Sequence, residues 1–506
     1  MALLGVSFVA ILVATVALWR LFKFYLFRRK FDKAGGPRAY FILGNVLQFK
    51  WAAEHWFDQA VGIASMFADT RMVRVWLFHR PYLMLYGPDE CETVLSSSKL
   101  TEKGYEYDQI IPWMGEGLLT SKGAKWRYRR KLLTPAFHYD ILKDFVDVFN
   151  QHAKVFIHIV GQHLNKELEI SKGITLFALD TVCQTAMGIQ LQAQTKSDSE
   201  YVVAIHKLNN ILHDRMKKPW FTSDTLFNYF GDGKEFKRCI EIAHGFSKQV
   251  IRERREYVRA NGGVANLVNN NTVDGKKRRL AFLDLLLGME EKGELDEEGI
   301  NEEVSTFMFA GHDTTGTAIN WLFFLLGNHP EVQRKVQREL DEIFGASERD
   351  PTYEDLARMR YLECCIKEQL RILPSGPFMT RILHEDTRFK NGYVAPAGTI
   401  ALLNVYMVHR DPKHWTDPEV YRPERFLPEN QNGRHPYCFV PFSCGSRNCL
   451  GQKFALMEMK TIVSWVLRRF DVRSVDRMDQ VRKSAELVLK PTDGVNVVLS
   501  KRIRGE

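Results

Sequence analysis

The sequence predicts a mainly α-helical protein with small β-sheets, led by a helix that crosses a membrane. Three observations predict it. Apolar residues recur at helical spacing through most of the chain. Strand-like stretches are short, at residues 72–78 and 81–86, with Gly87-Pro88 closing the second into a helix. Residues 2–19 form an uncharged apolar run of 18 residues, which at roughly 1.5 Å per residue covers most of a bilayer core about 30 Å thick.

Positive charge follows this run (Arg20, Lys23, Arg28-Arg29-Lys30) rather than preceding it, which places the body on the cytoplasmic side and argues against a cleaved signal. Residues 1–27 are therefore expected to be a transmembrane signal anchor. Residues 28–37 are expected to be a basic hinge ending in Gly35-Gly36-Pro37, and residues 38–506 the globular body. The sequon Asn270-Asn271-Thr272 is then expected to stay bare. Hydrophobic residues make up 45% of the 506, enough for a large core, and no internal repeat is visible. The eight cysteines are scattered, with Cys364 and Cys365 adjacent in a helical stretch, so a disulfide framework is not expected. The net charge of +9 comes without a basic tract, which disfavours nucleic acid and favours acidic protein partners and anionic membrane.

Residues 104–121 read as a loop rich in aromatics (Tyr105, Tyr107, Trp113), ahead of a basic helix over 125–133. There Trp126 and Arg130 share one face at i, i+4. Lys125, Arg127, Arg129 and Lys131 make that helix either a docking face for an acidic redox partner or an ordinary solvated face. Lys217-Lys218-Pro219-Trp220-Phe221 breaks a helix, and residues 261–275 read as a polar surface loop. Residues 301–326 read as one long buried helix, stopped by Gly327 and Pro330. Inside it, Ala310-Gly311-His312-Asp313-Thr314-Thr315 and Gly316 are locally unfavourable, the kind of violation that marks a functional site. Phe307, Ala310, Gly311 and Thr314 share a face, so a small gap and a hydroxyl look at one place.

Late in the chain, Phe442-Ser443-Cys444-Gly445-Ser446-Arg447-Asn448-Cys449-Leu450-Gly451 opens onto a helix whose apolar face is Ala455, Met459, Ile462 and Val466. Cys449 thus stands at the mouth of a helix, where free N–H groups favour a thiolate. Gly445 and Gly451 remove side chains where the loop would press on something flat. Phe442 can pack over the sulfur, and Arg447 offers a fork for a carboxylate. A single thiolate with no second ligand at close spacing suits haem iron better than zinc. A zinc site from His435, Cys438, Cys444 and Cys449 is the weaker alternative, because its spacings are not those of structural zinc.

The spacing F-x-x-G-x-R-x-C-x-G resembles the haem-binding signature of the cytochrome P-450 family at every fixed position. The resemblance implies the cytochrome P-450 fold, a single haem-containing catalytic domain over residues 38–506, and Cys449 as axial ligand of a haem b iron. By the same resemblance Trp126, Arg130, Arg381 and Arg447 would hold the haem propionates. Ala310 and Gly311 would border the oxygen-binding groove, Thr314 would steer protons to dioxygen, and Asp313 would relay them from solvent. Glu368 and Arg371 match the family's E-x-x-R pair, and Arg425 would complete a buried ion triad with a structural role. Residues 374–380 would line the substrate cavity.

Residues 303–315 further resemble the signature of the microsomal fourth family, the fatty-acid ω-hydroxylase branch, with two departures. Ser305 stands where that branch usually has Asp, and Ala310 stands where many members have a Glu that forms an ester to a haem methyl. The expected haem is therefore non-covalent, and strict terminal selectivity is not implied. The resemblance implies a monooxygenase of the endoplasmic reticulum membrane, single-pass and facing the cytoplasm. It would hydroxylate a fatty acid or related lipid with electrons from NADPH, through an NADPH–cytochrome reductase and with cytochrome b as a further redox partner. The alternatives are a xenobiotic or sterol monooxygenase, a reductase-independent lipid-peroxide isomerase, and a non-catalytic haem or lipid binder.

Overall fold

A computed structural model describes residues 2–50, 53–196, 200–270, 272–273, 276–277, 280–485 and 487–503. The apolar N-terminus forms helix α1 (Ala2–Phe31), of which Phe8–Phe31 is long and apolar enough to cross a membrane. Its last turns do not leave the body. Phe24, Phe27 and Phe31 pack edge-on around the Trp76 indole at 5.5, 6.1 and 5.0 Å between ring centroids.

The expected hinge is a clamp. The Arg28 guanidinium donates to the carbonyls of Ala39, Tyr40 and Phe41. Asp32 accepts the Trp76 indole N–H at 2.8 Å and lies 3.3 Å from Arg74. A Cβ on Gly36 would sit 2.4 Å from the Arg74 carbonyl oxygen, so this glycine serves close approach rather than flexibility.

Strands β1 (Met72–Leu77) and β2 (Arg80–Leu85) pair antiparallel where alternation predicts them. Helix α2 (Pro88–Leu95) follows, with Pro at its first turn. The stretch expected to be a loop contains two short helical turns, Tyr105–Ile110 and Ile111–Met114. The basic helix is α3 (Gly123–Leu133). After a further helix, Tyr139–Gly161, come helices α4 (Ser171–Val182) and α5 (Glu200–Lys217). Part of the expected polar loop is helical, Val264–Asn270; Asn271 of the sequon lies outside the described residues.

The long helix is α6 (Glu297–Asn328). It runs through Gly327, where an added Cβ would meet Ser474 N at 2.5 Å, so that glycine marks packing and not a stop. Helix α7 (Arg360–Ile372) carries the Glu368–Arg371 pair, and β3 (Phe378–Ile382) and β4 (Ile400–Asn404) complete a four-stranded sheet of order β1-β2-β4-β3. Helix α8 (Gln452–Leu467) buries Met459, Ile462 and Val466, and the hairpin β5 (Lys483–Ala485) and β6 (Leu489–Pro491) follows it. All eight cysteines are free.

Two large apolar cores divide α6 between them. Ile300, Val304, Met308 and Phe309 belong to one; Ala318, Ile319 and Trp321 through Leu326 belong to the other. The polar and glycine-containing run falls at the seam.

Candidate active site

Along the middle of α6 almost every residue is buried, but Phe307, Ala310, Gly311 and Thr314 each keep partial exposure. They lie at i, i+3, i+4 and i+7, one helix face. A partly open strip inside a helix that is otherwise enclosed is the wall of an internal cavity. Phe307 at its end stacks on Phe137 and packs at a tilt against Phe282, with centroids 5.3 and 4.3 Å apart, and Phe309 meets Trp113 edge-on at 4.8 Å. Thr314 Oγ1 donates to the Ala310 carbonyl at 2.7 Å, which keeps the hydroxyl on the strip. The Thr314 carbonyl accepts from Ser375 Oγ at 3.1 Å, so residues 374–380 do run past this helix.

Gly311 has a second reason to be glycine. A Cβ there would sit 2.6 Å from Val182 Cγ2, and one on Gly316 would touch Thr175 and Ala178. Gly311 lets α4 approach α6, while a Cβ on Gly316 would make only ordinary contact; the gap at the seam comes from Ala310.

The cysteine loop is built from its own backbone. The Cys449 N–H donates to the Phe442 carbonyl at 2.8 Å, closing the loop ahead of α8. Phe442 contributes its carbonyl to this closure and its ring to the larger core. Gly445 has φ +72, and an added Cβ would lie 2.0 Å from the Leu95 carbonyl oxygen, so α2 presses on it and no flat group is needed to explain it. A Cβ on Gly451 would meet nothing within 4 Å. The Cys449 side chain is accessible. Although the sulfur keeps accessible surface, crowding by nearby protein atoms strips water from it and raises its thiol above the ordinary value, while the Gly451 N–H and the charges of Arg130 and Lys103 pull toward the thiolate.

Four cations gather near this loop: Arg130 and Lys103 act on the sulfur, and Arg447 and Arg381 act on Lys103. Arg130 grips the residue beside it, donating to Asn448 O at 2.8 Å and to Asn448 Oδ1 at 2.6 Å. Arg447 donates to the carbonyls of Thr101, Leu119 and Ser121, tying the two ends of the aromatic stretch to the cysteine loop. It stacks 4.9 Å over the Trp126 ring, and its Nε has no partner. Arg381, almost wholly buried, donates to Thr380 O. Lys103, which the sequence reading missed, lies 4.1 Å over the Tyr107 ring. Burial and then Arg381's charge push Arg447 down to about 9; burial and the charges of Arg447 and Arg381 push Lys103 well below the usual ammonium range.

Among the described residues none of these four cations has a carboxylate partner within ion-pair distance. Enclosed cations without counter-anions are costly. A ligand that brings carboxylates beside an accessible thiolate compensates them, and haem, with two propionates and an iron that takes one thiolate, has that donor set. The residues present fit haem.

The other expected groupings separate. Glu368 and Arg371 pair through both oxygens at 2.7 and 2.8 Å, and Arg425 reaches Glu368 at 3.2 Å, all three being buried. The zinc set does not converge. Cys438 is buried against Trp415 and Phe426, and His435 lies beside Asp89 and Glu92, which Lys390 already bridges at 2.6 Å to each. Of the basic residues on α3, Arg129 is buried in ion pairs with Glu302 and Glu303 at 3.0 and 3.1 Å, and Lys125 reaches Glu302 at 3.0 Å. The helix binds α6 through these two; Arg130 turns to Asn448 instead, and among the described residues Arg127 and Lys131 have no ion pair to α6.

A family model described as Cytochrome P450 matches residues 34–498. The chain is 44% identical over 468 residues to the mouse protein "Cytochrome P450 4V2", covering 92% of this chain and 89% of that protein. It is 43% identical over 480 residues to "Cytochrome P450 4c3" of Drosophila melanogaster, covering 93% and 90%. Among solved structures, the "Crystal structure of cytochrome P450DA heme domain" superposes with a TM-score of 0.79 at 22% identity, covering 93% of this chain and 98% of that one.

Proposed function

The chain belongs to the cytochrome P450 family and is a monooxygenase of its fourth branch, and from that premise we propose that it hydroxylates a fatty acid or related lipid reached from the membrane. The observation that supports this most is the identity of 43–44% to fourth-branch relatives across nine-tenths of the chain. The apolar wall of Phe307, Phe137 and Phe282 beside Ala310 and Thr314 suits an alkyl chain. The electrons are proposed to come from NADPH through a separate reductase, with cytochrome b as a second donor. The body is proposed to face the cytoplasm from the endoplasmic reticulum, held by the single helix α1.

In this reading Cys449 ligates the haem, and Trp126, Arg130, Arg381 and Arg447 hold its propionates. The bound haem supplies activation of dioxygen for hydroxylation of a C–H bond. The protein's residues orient and hydrate the site. Ala310 leaves room on the cavity face of α6, the Thr314 hydroxyl holds a proton at that face, and Asp313 is the carboxylate through which protons reach it. The Ser375 hydroxyl on the Thr314 carbonyl keeps the substrate-lining segment in register with α6.

The test is turnover of the purified protein in lipid with NADPH, reductase and a panel of fatty acids, the hydroxyl position being read by mass spectrometry. Hydroxylated fatty acid is the expected product. Activity on a sterol or foreign compound alone would overturn the substrate class, and rearrangement of lipid peroxides without NADPH would overturn the reaction.

A further inference from the structure

Asp313 does not face the strip that Thr314 occupies. Its carboxylate is buried on the side of α6 toward α5 and the β5–β6 hairpin, where Oδ1 lies 2.8 Å from Lys490 Nζ and Oδ2 accepts from Asn209 Nδ2 at 3.2 Å. Lys490 is placed with care. The residue before it, Leu489, donates its N–H to the Ser375 carbonyl at 2.9 Å and accepts the Trp321 indole N–H at 2.7 Å. Ser375 in turn bonds Thr314, and Trp321 is two turns along α6. The strand carrying this ammonium is therefore registered against both Asp313's helix and the segment touching Thr314.

The Lys490 side chain keeps 18% of its surface exposed against 4% for Asp313, so the lysine stands between the acid and water. The other titratable groups facing Asp313 are Tyr201 and His206 of α5 and its own neighbour His312. Burial depresses both histidines, which leaves Lys490 as the full cation of the group.

We infer that Lys490 is a positioning residue for proton delivery: it holds the Asp313 side chain turned away from Thr314, and Asp313 serves the cavity when it leaves this ammonium. A charge-assisted bond in a dry setting is strong enough to fix one rotamer. The part-exposed lysine can swing into water and release it, which a wholly enclosed one could not. The inference rests on the monooxygenase reading above, in which Asp313 carries the protons.

The test uses the full-length, haem-loaded protein in lipid with reductase. It compares Lys490→Met, Lys490→Arg, Asp313→Asn and the double variant Lys490→Met/Asp313→Asn, with Lys490→Gln replacing Lys490→Met should that variant fail to hold haem. Three quantities are read: product formed per NADPH consumed, the solvent isotope effect on turnover, and the thermal unfolding midpoint. Lys490→Met is expected to lower product per NADPH on the order of tenfold, as losing the partner of a working group does, and to change the isotope effect. Lys490→Arg is expected to restore both. In the Asp313→Asn background the lysine substitution is expected to add nothing, in coupling or in midpoint. Losses that simply add would overturn the inference, as would a Lys490→Met protein with normal coupling beside a defective Asp313→Asn. If Asp313→Asn itself leaves coupling and isotope effect unchanged, the inference falls together with the role given to Asp313, and the failure lies in that role.

Discussion

Glu303 gives the site a stability that depends on pH in an unusual direction. Its carboxylate has no exposed surface and accepts from the Leu118 N–H and the Arg129 guanidinium, each at 3.1 Å. Arg129 is shared with Glu302, one residue away. Burial acts most strongly on Glu303 and the Glu302 charge adds to it. Together they outweigh the two donors and push the carboxyl from 4.5 up to about 7. Between those values the folded chain holds a proton on Glu303 that the unfolded chain has lost, so this group's contribution to stability is fully present below pH 4.5 and is lost as pH rises through 7. At about 1.36 kcal/mol per pH unit the loss is roughly 3 kcal/mol. Glu303→Gln keeps the size and an acceptor but cannot titrate. In denaturant unfolding of the haem-loaded protein, wild type should therefore lose about 3 kcal/mol relative to the variant between pH 4.5 and 7.5. A difference that stays flat over that range, or moves in the wild type's favour as pH rises, would refute the reasoning.

Three further outcomes follow from the same structure. Arg425→Ala removes one guanidinium from the enclosed Glu368–Arg371 pair and is expected to cost about 3–5 kcal/mol in thermal or denaturant unfolding, while the folded fraction keeps its haem spectrum. Gly445→Ala combines φ +72 with a Cβ 2.0 Å from the Leu95 carbonyl, so the protein should fail to take up haem, seen as loss of the thiolate-type band after reduction and addition of carbon monoxide. With Ala310 in place of an ester-forming Glu, acidified organic solvent should strip the haem completely; haem that stays with the polypeptide in that extraction would contradict the reading.

What the sequence makes legible is chemistry confined to neighbours. The loop ending in Cys449 and the strip Phe307–Ala310–Gly311–Thr314 each need particular residue types at helical or turn spacing, and both stand where spacing puts them. The companions of these residues come from far along the chain and carry no local signal. Lys103 reaches the cysteine loop, Ser375 the Thr314 carbonyl, and Lys490 the Asp313 carboxylate only because the sheet and the hairpin register them there. Where local patterns mislead, tertiary packing is the reason. Four alternating cations on α3 read as a surface, yet Arg129 turns inward because Glu302 and Glu303 on α6 wait for it. Gly35-Gly36-Pro37 reads as slack, yet Gly36 is small so that the chain can lie against Arg74. That last difference changes what the N-terminal helix does. With Asp32 on the Trp76 indole and Arg28 on three carbonyls of the following segment, α1 ends inside the fold of the body. Its last turns meet β1 at Trp76, so side-chain contacts join α1 to the body at this junction.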